Sequence, residues 1–253
     1  MLFLRRLLPF LVGCLTALCL WAQTQNAGSY PWMALVAPIA FLAAGIFIGW
    51  KRFPFLDLLA RIVPPAVTLA ALVFGLLLAE GGMGLWAIPI VGGIISFVAL
   101  ELLFLLAFLP TRYPVNGLSH LNLVLVPVAL WLISYASVGL TMFIHASRAI
   151  PILVLSAAGA LLFWSTSHVE ATPGHRRRWG AVGAWMGAHL GLLGAFLPLA
   201  IALHGAYAAL LGTFALRVRR YGIAPHLPRS LIIAEILGAA VLLGGMLGTA
   251  RWV

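Results

Sequence analysis

The chain has 253 residues, of which 64% are hydrophobic and 8% are charged, and its net charge is +10. Water-soluble domains carry about a quarter charged residues, so this composition excludes a water-soluble protein. The 15 basic residues lie in short clusters between long apolar runs, which is typical of membrane topology and not of a nucleic-acid-binding surface.

Nine apolar segments are long enough to cross a hydrocarbon core of roughly 30 Å as helices. In chain order they cover residues 7–22, 31–50, 62–80, 84–109, 119–143, 149–167, 179–197, 200–217 and 231–250. No segment alternates apolar and polar residues as the strands of a membrane β-barrel do. The connections are too short for a separate soluble domain. We therefore predict a single domain over residues 1–253, an all-α polytopic transmembrane helix bundle.

The basic residues also predict which side of the membrane each connection faces. With the N-terminus inside, 13 of the 15 basic residues fall on the inner side, and only Arg148 and Arg251 fall outside. In bacterial-type membranes positive charges are retained on the cytoplasmic side. The bias therefore predicts a multi-pass protein of the cytoplasmic (inner) membrane, with nine spans and a cytoplasmic N-terminus.

Residues 179–218 form a stretch that is too long for one span, because a single helix over it would reach about 60 Å. Pro198 lacks a backbone donor and predicts a turn near residues 199–203, which gives two spans. The alternative is a re-entrant hairpin, which leaves eight spans and inverts the last helix. The charge bias favours nine.

Glu101 and His189 are ionisable residues predicted to lie within the hydrocarbon, where such groups are costly. Glu101 is interpreted either as a structural tie to an arginine, histidine or amide on another helix, or as a proton-carrying carboxylate. His189 lies midway along the seventh span and is expected to face protein. It is either hydrogen-bonded across helices or part of a proton relay with Glu101.

The fifth span is polar in its middle, where Ser134 and Ser137 share one helix face. This face either lines a cavity or holds hydroxyls that bond to a helix backbone. Pro127 in the fifth span, and Pro89 with Gly92–Gly93 in the fourth, are predicted weak points of the two helices. If a binding pocket exists, spans four and five are therefore its predicted place.

Four residues are predicted at the outer rim, namely Glu80, His145, Arg148 and His204. An outward-facing arginine with two histidines suits an anionic headgroup, and the alternative is an ordinary hydrated rim. The spacing of histidines and cysteines does not indicate haem or a metal site. Nucleotide-binding and hydrolase motifs are also absent from the sequence, so we predict no cofactor, no metal and no catalytic residue.

A strip of glycines, Gly183, Gly187 and Gly191, recurs every four residues in the seventh span. Small residues at this spacing let two membrane helices approach closely. The strip therefore predicts tight helix packing, within the chain or with another subunit.

Three functional classes fit the sequence. The scarcity of catalytic groups favours a non-catalytic membrane component or a subunit of a larger membrane assembly. The alternatives are a small permease or lipid-handling transporter, and a membrane-embedded enzyme that acts on a lipid. The expected partners are the lipid bilayer and other membrane subunits or further copies of the chain, and nucleic acid is not expected.

Overall fold

The computed structural model describes residues 2–26, 32–78, 82–143, 145–166, 173–197, 200–223 and 229–248. Within these ranges the chain forms nine α-helices and no β-strand, which confirms the all-α class. The helices are α1 (Leu2–Gln25), α2 (Trp32–Gly49), α3 (Phe55–Leu77), α4 (Met83–Phe108), α5 (Gly117–Phe143), α6 (Ala149–Thr166), α7 (Pro173–Phe196), α8 (Ile201–Ile223) and α9 (Arg229–Gly248). A 3₁₀ turn, Pro110–Arg112, lies between α4 and α5.

Several helices extend beyond the apolar segments that locate them in the sequence. Helix α3 begins at Phe55, so Asp57 and Arg61 lie on its first turns and not in a loop. Helix α7 begins at Pro173 and carries three consecutive arginines on its first turns. Hydropathy marks the part of a helix that crosses hydrocarbon, whereas the backbone hydrogen bonds continue past it into the polar interface.

The long stretch 179–218 is divided between two helices. Helix α7 ends at Phe196 and α8 begins at Ile201, and they contain 24 and 23 residues. Helix α8 is long and apolar enough to cross a membrane, whereas α7 begins with polar residues and is not among the helices that are, so the choice between two full spans and a re-entrant hairpin stays a prediction. Pro198 and Leu199, where the turn was predicted, lie outside the described residues.

Six of the described helices are long and apolar enough to cross a membrane: α1, α3, α4, α5, α6 and α8. Helices α2 and α9 contain shorter apolar stretches, Leu35–Gly49 and Ile233–Met246. Helix α7 is rich in glycine and carries His189, and both residue types lower its mean hydropathy. The chain is therefore a multi-pass membrane protein.

Helices α3 and α5 form the centre of the bundle. Helix α3 packs against α2, α4, α5 and α6, and α5 packs against α3, α4, α6, α7 and α8. Large side chains such as Phe41, Phe104 and Phe163 are buried between these helices. Helix α9 packs mainly against α8 and lies at the periphery, where most of its described apolar side chains are exposed.

Helices α1 and α4 cross at two glycines. A Cβ on Gly93 would lie 3.0 Å from the carbonyl oxygen of Gly13, and a Cβ on Gly13 would lie 3.1 Å from that of Gly93. The absence of side chains at both positions lets the two backbones touch. Beside the crossing, the buried Ser96 hydroxyl donates a hydrogen bond of 3.1 Å to Thr16 Oγ1.

The prolines inside α4 and α5 do not interrupt these helices. Pro89 lies inside α4 and Pro127 inside α5, and both helices run without a break. The structure therefore shows no gap at the predicted weak points. Gly93 serves the crossing with α1, and a membrane helix tolerates proline because neighbouring groups satisfy the freed carbonyl.

Most of the basic side chains collect at one end of the bundle, which we call the basic end. The guanidinium carbons of Arg5 and Arg52 lie 5.3 and 4.8 Å from the ring centroid of Phe108. In the same region, Arg176 Nη1 of α7 lies 3.1 Å from Asp57 Oδ1 of α3. The contacts join the start of α1 and the end of α2 to the end of α4, and the start of α7 to the start of α3. Starts and ends alternate in this way when consecutive helices run in opposite directions. The positive-inside bias predicts that the basic end faces the cytoplasm.

Candidate functional site

The predicted glycine strip of α7 lies directly against the backbone of α6. A Cβ on Gly187 would lie 2.0 Å from the carbonyl oxygen of Leu155, and one on Gly183 would lie 2.2 Å from that of Gly159. A Cβ on Gly191 would meet the Ile152 backbone at 2.4 Å. No such contact is possible for a side chain, so only glycine fits at these positions. The strip is thus occupied within the chain and does not offer a surface to another subunit.

His189 lies on the other side of α7, where no helix of the described chain covers it, so the expectation that it faces protein is not met within the chain. Its ring is exposed, on the same face as Trp185, of which 66% is exposed. His189 Nδ1 lies 2.8 Å from the Trp185 carbonyl oxygen, and the two ring centroids are 4.3 Å apart. Residues 187 and 189 point about 200° apart on a helix, because each residue advances the helix by about 100°. Since Gly187 faces α6, His189 is turned outwards.

Glu101 of α4 forms an ion pair with Arg6 of α1. The side chain of Glu101 is 21% exposed and that of Arg6 is 50% exposed. The guanidinium carbon of Arg6 also lies 5.1 Å from the Phe104 ring centroid. This geometry matches the structural tie, because the carboxylate already has a cationic partner on a neighbouring helix. Glu101 bonds to Arg6 and His189 bonds within its own helix, so the structure does not assemble the predicted relay.

The polar face of α5 is buried between helices. Ser134 and Ser137 are both buried, and the Ser137 hydroxyl donates a hydrogen bond of 3.3 Å to the Ser134 carbonyl. One turn further on, the Thr141 hydroxyl donates to the Val138 carbonyl at 2.7 Å. The hydroxyls of Ser137 and Thr141 are therefore satisfied by the backbone of their own helix, which is a common arrangement in membrane helices.

Two of the predicted rim residues line a cavity of about 370 Å³ at the end of the bundle opposite the basic end. The cavity lies between the end of α5, with Thr141 and Met142, and the last turn of α7, residues 194–197. His145, Ala146 and Arg148 of the α5–α6 connection complete its wall. The guanidinium carbon of Arg148 lies 5.7 Å from the Phe196 ring centroid, so the cation is held at the cavity.

The other two rim residues are not part of this cavity. His204 is 4% exposed, and its Nε2 has no hydrogen-bond partner among the described residues. A Cβ on the next residue, Gly205, would lie 2.9 Å from the carbonyl oxygen of Trp131, near the middle of α5. Helix α8 therefore begins below the rim, which explains why His204 is buried and not at the surface. Glu80 lies outside the described residues.

The sequence did not indicate the α7 side of the cavity. Phe196 and Gly194 lie about 50 residues from His145 along the chain, and no spacing signal connects them. Their proximity results from the packing of α5 and α7.

Among the described residues, no three histidine, cysteine, aspartate or glutamate side chains are grouped closely enough to hold a metal ion. In comparisons with known proteins, no protein-family model matches the chain, and no curated protein or solved structure is significantly similar to it.

Proposed function

We propose that the protein is a non-catalytic subunit of a larger membrane assembly, and that the exposed face of α7 contacts the next subunit. The observation that carries this proposal is the exposure of His189 near mid-length of the apolar part of α7. We place the assembly in the cytoplasmic (inner) membrane with the basic end towards the cytoplasm, which the charge bias supports.

An imidazole at mid-depth is costly in lipid, because hydrocarbon cannot form hydrogen bonds. Nδ1 of His189 is bonded to the Trp185 carbonyl, whereas Nε2 has no partner among the described residues. A neighbouring helix that presents a hydroxyl, amide or carbonyl at this depth satisfies Nε2. Contact with such a helix removes the cost of exposing the ring to lipid, and it is the reason we assign this face to a partner.

The side chains around His189 suit an interface between helices. Val182, Trp185, Leu192 and Phe196 are exposed on the same face of α7. Apolar and aromatic side chains of this kind form the buried centre of protein interfaces, and tryptophan is enriched among the residues that dominate binding. The face therefore combines one polar side chain, which fixes the position of α7 along the partner helix, with apolar side chains around it.

The same structure supports a transporter or a lipid enzyme less well than it supports a non-catalytic subunit. Glu101 is bound to Arg6, and the hydroxyls of Ser137 and Thr141 are bonded within α5. Three of the groups that suggested a substrate path in α4 and α5 thus have structural partners. The cavity beside Arg148 is the feature that a lipid-handling function would use.

Photo-crosslinking in native membranes tests the proposal. A photoreactive phenylalanine analogue at Trp185 is expected to give a discrete protein adduct after irradiation. The same analogue at Phe10, an equally exposed aromatic residue on α1, is the matched control and is expected to give lipid adducts only. An adduct of twice the chain mass would identify a second copy as the partner. Lipid adducts alone at both positions would overturn the proposal.

His189→Leu is expected to weaken association with the partner without lowering the stability of the isolated chain. Loss of one interhelical hydrogen bond weakens association by about 1 kcal/mol, or roughly fivefold, because Nε2 no longer meets its partner. The isolated chain is expected to keep or raise its melting temperature, since leucine suits lipid better than imidazole does. Co-purification yield and thermal melting in detergent measure the two effects. A lower melting temperature with unchanged association would show that His189 acts only within the chain.

A further inference from the structure

We infer that the cavity between the ends of α5 and α7 binds a phospholipid headgroup that carries both a phosphate and a primary ammonium. The cavity volume of about 370 Å³ lies within the range of small-molecule sites, about 300 to 1,000 Å³. Its position at the end of the bundle is the depth at which headgroups lie. Met142 in its wall is exposed, so the cavity is bordered by apolar surface on the side of α5 that a lipid tail can contact.

One wall supplies donors for a phosphate. Arg148 is exposed and is held over Phe196, and His145 lies three residues before it in the same wall. A guanidinium presents several N–H groups in a planar fork that matches phosphate oxygens. Among the described residues that line the cavity, none is a carboxylate. His145 has a φ of 52°, a left-handed backbone that is unfavourable for a residue with a side chain. His145 and Arg148 both line the cavity.

The opposite wall supplies acceptors for an ammonium. It consists of the last turn of α7, whose carbonyl groups carry the partial negative charge of a helix C-terminus. The Leu197 carbonyl among them already accepts a hydrogen bond from the His204 imidazole. In the sequence, the residue four positions after Gly194 is Pro198, which has no N–H to donate to the Gly194 carbonyl. A primary ammonium has three N–H donors for such carbonyls. One headgroup with both charges therefore satisfies both walls of the cavity.

This chemistry discriminates among common membrane lipids. A glycerol headgroup has the phosphate but no cation for the carbonyls of α7. A choline headgroup has a cation without N–H donors, so it cannot bond to those carbonyls. An ethanolamine headgroup has both groups, and we expect it to bind the cavity more tightly than the other two.

Native mass spectrometry of the purified full chain tests this inference. Phosphatidylethanolamine, phosphatidylglycerol and phosphatidylcholine of identical acyl chains are added separately, and the retained lipid is counted. We expect the ethanolamine lipid to be retained most. Arg148→Gln is expected to lower its affinity about tenfold, because a charge-assisted hydrogen bond is lost. Arg112→Gln, which removes an exposed arginine near the basic end, is the matched control and is expected to leave the affinity unchanged.

A cavity-filling variant and a competition experiment test the headgroup site independently of Arg148→Gln. Ala146→Leu fills part of the cavity without removing a charge, and it is expected to lower retention even if Arg148→Gln fails to fold. Soluble glycerophosphoethanolamine is expected to compete only far above the lipid concentration. Competition at equal concentration would overturn the lipid assignment in favour of a soluble phosphoester. Equal retention of the three lipids, or equal behaviour of the variants at 148 and 112, would overturn the site itself.

Discussion

Gly187→Ala is expected to destabilise the protein by more than about 3 kcal/mol, because a single methyl group separates α6 from α7. The new Cβ would lie 2.0 Å from the Leu155 carbonyl oxygen and 2.9 Å from the Ser156 nitrogen. Both atoms belong to the backbone, so the clash cannot be relieved by rotating a side chain. Overpacking in a well-packed core typically costs about 1 to 3 kcal/mol, and a clash with a rigid backbone lies at the upper end or beyond.

The chain provides a matched control for this substitution. A Cβ on Gly244 of α9 would meet no neighbouring side chain or helix within 4 Å among the described residues. Alanine is a better helix former than glycine by roughly 0.5 to 1 kcal/mol, so Gly244→Ala is expected to be neutral or stabilising. Thermal melting in detergent, followed by tryptophan fluorescence, compares the two variants with the unmodified chain. Equal melting of all three proteins would contradict the tight α6–α7 contact.

The helical class was predictable because lipid leaves few alternatives. A chain with 64% hydrophobic residues in long runs must close its backbone hydrogen bonds within helices. The division of residues 179–218 was also predictable, since hydrocarbon thickness limits helix length and proline ends a helix. Helix ends were less predictable. Asp57 and Arg61 extend α3 into the polar interface, where hydropathy gives no signal.

The glycine strip shows which structural feature a sequence pattern predicts and which it does not. The spacing of Gly183, Gly187 and Gly191 predicted a close helix contact, and the structure places α6 there. The pattern does not identify the contacting helix. His189 was expected to share the protein-facing side because it is close to the strip in sequence. The angle around the helix axis decides which side a residue faces. His189 lies two residues after Gly187, which is more than half a turn.

The candidate sites were less predictable, because they depend on how helices are shifted along one another. His145 and Arg148 meet residues of α7 at the cavity, and they are far from them in sequence. His204 was grouped with them because it begins the eighth span. The sequence does not show that Gly205 lies against Trp131, which places the first turn of α8 below the rim.

Reversing the charge of either Arg6 or Glu101 alone is expected to destabilise the chain, and reversing both charges together is expected to restore its stability. In Glu101→Arg, two guanidinium groups replace an ion pair between α1 and α4. Repulsion between unit charges about 4 Å apart is between about 1 kcal/mol in water and about 4 kcal/mol near a protein surface. Because Arg6 is 50% exposed, we expect a loss in the lower half of this range. Arg6→Glu is expected to have a similar effect, since it brings two carboxylates together.

The double variant Arg6→Glu with Glu101→Arg tests the interpretation of Glu101 as a structural tie. The exchanged charges attract again, so a structural tie predicts recovery of most of the lost melting temperature. Arg5 and Arg52 stay in place and preserve the positive charge of the basic end. Glu101→Gln, which keeps an acceptor for Arg6, is expected to cost less than either reversal. If the double variant melts as low as the single variants, the carboxylate itself is required at position 101. That result would contradict the structural tie, because the exchanged charges would not hold α1 and α4 together as the native ion pair does.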